Sequence, residues 1–87
     1  MKIEYDPAKD AINRDKHGLS LSEAADFDFE AAVVLVDDRF GYGETRYRAF
    51  ARSGDGGFSL AFAVTGQTLR PISYRRAHDK ELRHHGI

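Results

Sequence analysis

The stretch TRYRAFARSGDGGFSLAFAVT, residues 45–65, decides the fold. Its first part alternates: Arg46, Arg48, Phe50 and Arg52 fall on one face of an extended chain, and Thr45, Tyr47, Ala49 and Ala51 on the other. Ser53-Gly54-Asp55-Gly56-Gly57 reads as a hairpin turn. Beyond it Phe58, Leu60, Phe62 and Val64 alternate with Ser59, Ala61, Ala63 and Thr65. Two such runs joined by a glycine-rich turn make an antiparallel hairpin. Its second strand carries the main core stripe, and its first carries an arginine row expected to face water.

Downstream, the turn Gly66-Gln67-Thr68 leads into a strand from Leu69 to Arg76. Pro71 cannot donate to a ladder, so it implies an edge position or a bulge. Upstream, Ala31 to Val36 reads AAVVLV, a β-branched run expected to be a buried strand, closed by Asp37-Asp38-Arg39. Lys2 to Tyr5 alternates and fits a short strand. Asp6 and Pro7 then supply a helix N-cap and a first-turn proline, and Lys16, His17 and Gly18 supply C-terminal cations and a stop. Ser20 and Glu23 form a capping box for a second helix from about Leu21 to Phe27. Ala77 to His84 fits one or two helical turns. The expected fold is α+β: a single small domain over residues 1–87, with two short N-terminal helices, an antiparallel four-stranded meander and a short C-terminal helix.

At 87 residues the chain holds one thin core, and 41% hydrophobic with 31% charged residues is an ordinary globular balance. With no cysteine, disulfides and thiolate metal sites are excluded. The N-terminal MKIEYDPAKD lacks an apolar signal core, and the longest apolar run is too short for a bilayer, so a cytoplasmic protein without membrane contact is expected. The net charge of −1 hides an asymmetry. Residues 1–45 hold five Lys/Arg against eleven Asp/Glu, while residues 46–87 hold eight against three. The arginine-rich second half points toward phosphate or an acidic partner, or is simply a solvated strand face.

Several strings across the chain resemble the BrnT toxin family. They are Tyr5-Asp6-Pro7-Ala8-Lys9, Asn13 with Lys16-His17-Gly18-Leu19-Ser20 and Glu23-Ala24, Gly43-Glu44-Thr45-Arg46, and Arg70-Pro71-Ile72-Ser73-Tyr74-Arg75-Arg76-Ala77 with Glu81. The resemblance implies a compact RelE-like ribonuclease toxin of a type II toxin-antitoxin system, which cuts RNA without metal or cofactor and arrests growth. It also implies a BrnA-like ribbon-helix-helix antitoxin that blocks the toxin and through which the complex binds operator DNA. Departures fall within the same strings. Tyr5 stands where the family usually has tryptophan, Pro71 and Tyr74 interrupt the last-strand pattern, and Leu82 and His85 differ in the tail.

Cleaving RNA without metal takes a base for the 2′-hydroxyl, cations for charge developing on the phosphate, and a proton donor for the departing 5′-oxygen. Glu44 is the favoured base, although Arg46 beside it would lower its basicity. Arg46, Arg70 and Arg75 are the favoured phosphate clamp, since a guanidinium stays charged and grips two oxygens. His17 is a candidate acid or base and Lys16 an electrostatic aid. Tyr5 would stack on a base, with Arg48 and Arg76 as further RNA contacts.

Each assignment has a plainer counterpart. His17 precedes a helix-ending glycine and can merely cap carbonyls. Glu44 and Arg46 can be a surface ion pair. Arg70 and Arg75 are five positions apart, so a regular strand puts them on opposite faces and only a bulge unites them. His78, His84 and His85 lack the spacing of a fixed metal site, fit a frayed tail, and are assigned no metal. Two other functions fit the same strings: a noncatalytic module that binds its antitoxin and tunes operator binding, and an RNA-binding domain stacking bases on Tyr42, Tyr47 and Phe50.

Overall fold

The hairpin expected at residues 45–65 forms the middle of the sheet. In a computed structural model, which describes residues 2–38, 41, 43–54 and 56–87, strand β3 (Arg46–Ser53) pairs antiparallel with β4 (Gly56–Thr65). Three expected positions, Arg39 and Asp55 in turns and Tyr42 in the stacking platform, lie outside the described residues. β2 (Val33–Asp37) pairs with β3, and β5 (Thr68–Arg76) with β4, both antiparallel.

The sheet is five-stranded and mixed, in the order β1-β5-β4-β3-β2, not a four-stranded meander. The added strand, β1 (Lys2–Ile3), runs parallel to β5 opposite Thr68 and Leu69. Two residues carry too little periodicity to announce a pairing, and its direction is set by the distant strand it meets. β2 differs as well. It is an edge strand whose Val34 and Val36 are 45% and 60% exposed, because the β-branching that makes it extended says nothing about which faces are covered.

Helix α1 (Pro7–His17) begins as the sequence dictates: the Asp6 carboxylate accepts from the Ala8 N–H at 2.8 Å, and Pro7 fills the first turn. It ends at Gly18, whose φ of 73° is left-handed and whose N–H reaches the Arg14 carbonyl at 2.9 Å. The second helix is a single 3₁₀ segment, Leu21–Asp26, rather than an α-helix to Phe27. Its capping box forms, with the Ser20 N–H donating to Glu23 at 2.9 Å, and the Asp10 carboxylate ties it to α1 by accepting from the Leu21 N–H at 2.6 Å.

These segments cover one face of the sheet. Leu21, Ala24 and Phe27 pack on Ala49, Ala51, Leu60, Phe62, Leu69 and Tyr74, the closed apolar core. The opposite face carries the arginine row and is not wholly wet. Helix α2 (Asp79–His84) docks on its far end, where Phe50 and Leu82 are both 0% exposed. Gly57 makes the docking possible, since a Cβ there would sit 2.1 Å from Leu82 Cδ1. The tail is therefore packed rather than frayed: the His85 ring stacks on Phe50 with centroids 4.1 Å apart, and Arg52 meets Asp79 at 2.9 Å.

Asn13 fixes the free flank of β5. β1 reaches only to Leu69, which leaves the Tyr74 backbone without a neighbouring strand on that side. The buried Asn13 amide replaces one, accepting from the Tyr74 N–H at 3.0 Å and donating to its carbonyl at 3.0 Å. The same amide donates to the Leu19 carbonyl at 2.7 Å, so α1, its exit loop and β5 form one unit.

Candidate active site

Two strand faces divide the charged residues of the second half. Opposite β4, Ser73 pairs with Ala61 while Pro71 pairs with Phe62, so Ile72 has no counterpart and the ladder shifts by one residue. This bulge, at the proline that cannot donate, places Arg70 opposite Ala63 and Arg75 opposite Ser59, on one face. The same alternation puts Arg46, Arg48 and Arg52 of β3 on that face.

Glu44, just before β3, stands between two of these arginines. Its Oε1 accepts from Arg46 Nε at 3.3 Å and from Arg70 Nη2 in a shorter bond. The Arg70 hydrogen bond above all, with help from Arg46, holds this carboxyl below the usual range against a smaller opposing effect of burial. Glu44 is thus a weak base and a strong organiser: it joins the strand entry to β5 and presets the direction of two guanidinium groups.

From the other side, α1 faces the same arginines. Lys9, Lys16 and His17 together with Arg46, Ile72 and Ser73 line an open pocket of about 300 Å³. The His17 imidazole is pushed below its ordinary pKa, first by burial and then by the positive charges of Lys16 and Arg75. Burial among cations favours the neutral imidazole, whose free nitrogen can accept a proton. Lys16 and His17 sit in the last turn of α1, where the helix C-terminus also favours cations.

Arg75 is engaged by a residue whose partnership the sequence reading missed. Glu81 of α2 accepts both of its terminal nitrogens, at 2.9 and 2.8 Å, and the pairing raises the guanidinium pKa and lowers that of the carboxyl. Arg75 and Glu81 belong to a strand and a helix separated by a turn, so no helical or strand period links them. The available signals were the acidic first turn of α2, which holds Asp79 and Glu81, and the place of Glu81 in the strings that carry the family resemblance.

Other expected RNA contacts are not gathered here. Tyr5 is half-buried against the apolar core, and Arg76 lies on that same face with its guanidinium 5.3 Å from the Phe58 ring. Arg48 does lie on the arginine face, 5.7 Å from the Phe50 ring, with a buried Nε that has no hydrogen-bond partner among the described residues. The stacking platform is not assembled either, because Tyr47 stacks on Phe62 on the core face while Phe50 is fully buried on the other. An apolar pocket of about 430 Å³ beside the 3₁₀ helix, lined by residues such as Ile3, Phe29 and Val64, offers no titratable side chain for proton transfer.

The arrangement can therefore bind an oxyanion with oriented guanidinium groups and move a proton through an imidazole. In comparison with known proteins, the family model described as ribonuclease toxin, BrnT, of type II toxin-antitoxin system matches residues 5–81. No curated protein matches the chain.

Proposed function

The chain belongs to the BrnT family of ribonuclease toxins of type II toxin-antitoxin systems, and from that membership we propose that it cleaves RNA on the arginine face, using protein groups without a metal. The observation that carries this reading is the bulge at Ile72, which puts Arg70 and Arg75 on one face of β5, with Arg70 bonded to Glu44 and with Arg46, Lys16 and His17 lining the pocket at the bulge.

In this reading His17, rather than Glu44, takes the proton from the 2′-hydroxyl. The 2′-oxygen then attacks phosphorus, the bond to the 5′-oxygen breaks, and the proton gained by His17 is the one the departing 5′-oxygen needs. The products are a 2′,3′-cyclic phosphate and a 5′-hydroxyl. Arg70, Arg46 and Lys16 carry the charge that grows on the phosphate oxygens. Arg70 commits one nitrogen to Glu44, and a guanidinium has five N–H donors with which to meet phosphate as well.

Type II membership implies an antitoxin partner. We assign it the ribbon-helix-helix class, with operator DNA bound only through the complex, and place the pair in the cytoplasm. Among the described residues no helix is long and apolar enough to cross a membrane. One observation favours the noncatalytic alternative: Glu44 and Glu81 already neutralise arginines of the clamp. The test separates the two. The purified chain, incubated with single-stranded RNA in EDTA, is expected to yield cyclic-phosphate ends, and Arg70→Ala is expected to slow their formation about 10²- to 10³-fold. Intact RNA at excess wild-type protein, with antitoxin binding retained, would establish the noncatalytic module instead.

A further inference from the structure

The catalytic pocket is small for a nucleic-acid enzyme. At about 300 Å³ it lies at the low end of the range for single small ligands, yet RNA reaches an enzyme as a strand. A second concavity lies beside it. Arg75, His78, Lys80, Arg83, His84 and His85 border an open groove of about 920 Å³ along α2.

Three features fit this groove to a single-stranded polyanion. Its charge is net positive: Glu81 and Arg75 of its lining offset each other, the neighbouring Asp79 is held by Arg52, and Lys80 and Arg83 stand exposed at the solvent. It contains a fixed aromatic shelf, because His85 is locked flat on Phe50 with an interplanar angle of 17° and His84 meets His85 edge-on at 5.2 Å. It also lies within electrostatic reach of the first pocket, since Arg75 lines the groove and its charge acts on His17, which lines the pocket. A cationic track with ring faces for bases is the general form of sequence-tolerant single-strand binding.

We propose that α2 forms an extended RNA subsite, in which Lys80 and Arg83 hold phosphates and the His84–His85 shelf stacks a base of the nucleotides flanking the scissile bond. This assignment rests on the cleavage reading above, and its test separates the two. The double variant Lys80→Glu with Arg83→Glu changes exposed positions, and circular dichroism checks that it folds. On a single-stranded RNA about twelve nucleotides long it is expected to raise KM by about tenfold at low salt with kcat unchanged. The dependence of log KM on log salt should flatten by about 1.4, the loss expected for two phosphate contacts. Cleavage of a dinucleotide, too short to reach α2, should not change.

An unchanged KM on the long RNA overturns the subsite. So does an equal loss on both substrates, which would mean that the substitutions act through Arg75. If the wild-type chain cleaves neither RNA, the cleavage reading fails on its own. The subsite is then read from fluorescence anisotropy of a 2′-O-methyl oligonucleotide, where weaker binding by the variant supports it and equal binding refutes it. Loss of antitoxin binding with RNA binding intact would reassign the groove to a protein partner and overturn the proposal.

Discussion

Leu60 and Arg75 lie on opposite faces of the same sheet, and their surroundings have little in common. Leu60 is fully enclosed with Ala49, Phe62 and Tyr74 beneath the 3₁₀ helix, and Arg76, on the same face, is exposed over the Phe58 ring. Arg75, with Arg46 and Arg70, stands on a face where carboxylates and guanidinium groups are held in part-exposed hydrogen bonds. Part-exposed ion pairs contribute little to stability, whereas enclosed apolar side chains contribute most of it. One face therefore secures the fold and the other can be spent on chemistry, so substitutions should separate into those that change melting and those that change turnover.

The largest effect belongs to the core face. Leu60→Ala is expected to cost about 2–5 kcal/mol, since a closed site relaxes poorly around a cavity. A domain of this size commonly holds only about 5–15 kcal/mol in total, so the melting temperature should fall by about 8 °C or more. Thermal denaturation followed by circular dichroism measures this. A melting temperature within a degree of wild type would show that the core face is not what holds the sheet together.

Arg70→Ala probes the other face. If Arg70 meets the phosphate, kcat should drop about 10²- to 10³-fold, the usual loss of one oriented donor to a developing oxyanion, while stability stays within about 0.5 kcal/mol. Steady-state cleavage and a melt on the same preparation give both values. Equal losses of folding and activity would erase the distinction between the faces.

How far the faces could be read in advance depends on how local their determinants are. The hairpin at 45–65 and its arginine row follow from a period of two and a glycine-rich turn, and α1 follows from Asp6, Pro7 and Gly18. That Arg70 and Arg75 share a face was conditional on a bulge, which Pro71 motivated but could not locate; the register shows it at Ile72. The parallel pairing of β1, the exposure of Val34 and Val36, and the grip of Glu81 on Arg75 all depend on segments that meet only after folding. No local window spans β1 and β5, and Arg75 and Glu81, only six residues apart, belong to different elements, so no single period links them.

Asn13 blurs the division, because it clamps the backbone of Tyr74 and also lines the proposed catalytic pocket. Asn13→Ala leaves the Tyr74 N–H and carbonyl without this partner and is expected to cost about 1–3 kcal/mol. Unlike the first two substitutions, it should lower stability and turnover together, since β5 carries Arg70 and Arg75. Hydrogen exchange at Tyr74 reads the first effect and cleavage the second. Loss of protection with full activity would mean that the bulge holds Arg70 and Arg75 in place without help from α1.

The smallest effect is a shift along the pH axis. With the His17 pKa depressed, the neutral base is already present below about 6.5, so the acid limb of log kcat should fall below the ordinary histidine value. The sign for stability is the same. The unfolded chain binds the imidazole proton more readily than the fold does, so stability is lost as pH falls through this range. Lys16→Gln removes one of the charges that repel the imidazolium, so the limb should move to higher pH while the larger effect of burial remains. The readout is the position of the limb and not its height, because the proposed reading also gives Lys16 a part in holding the phosphate. A limb that moves to lower pH, or stays fixed, would remove His17 from the role of base and return the question to Glu44, whose own limb would lie in the carboxylate range.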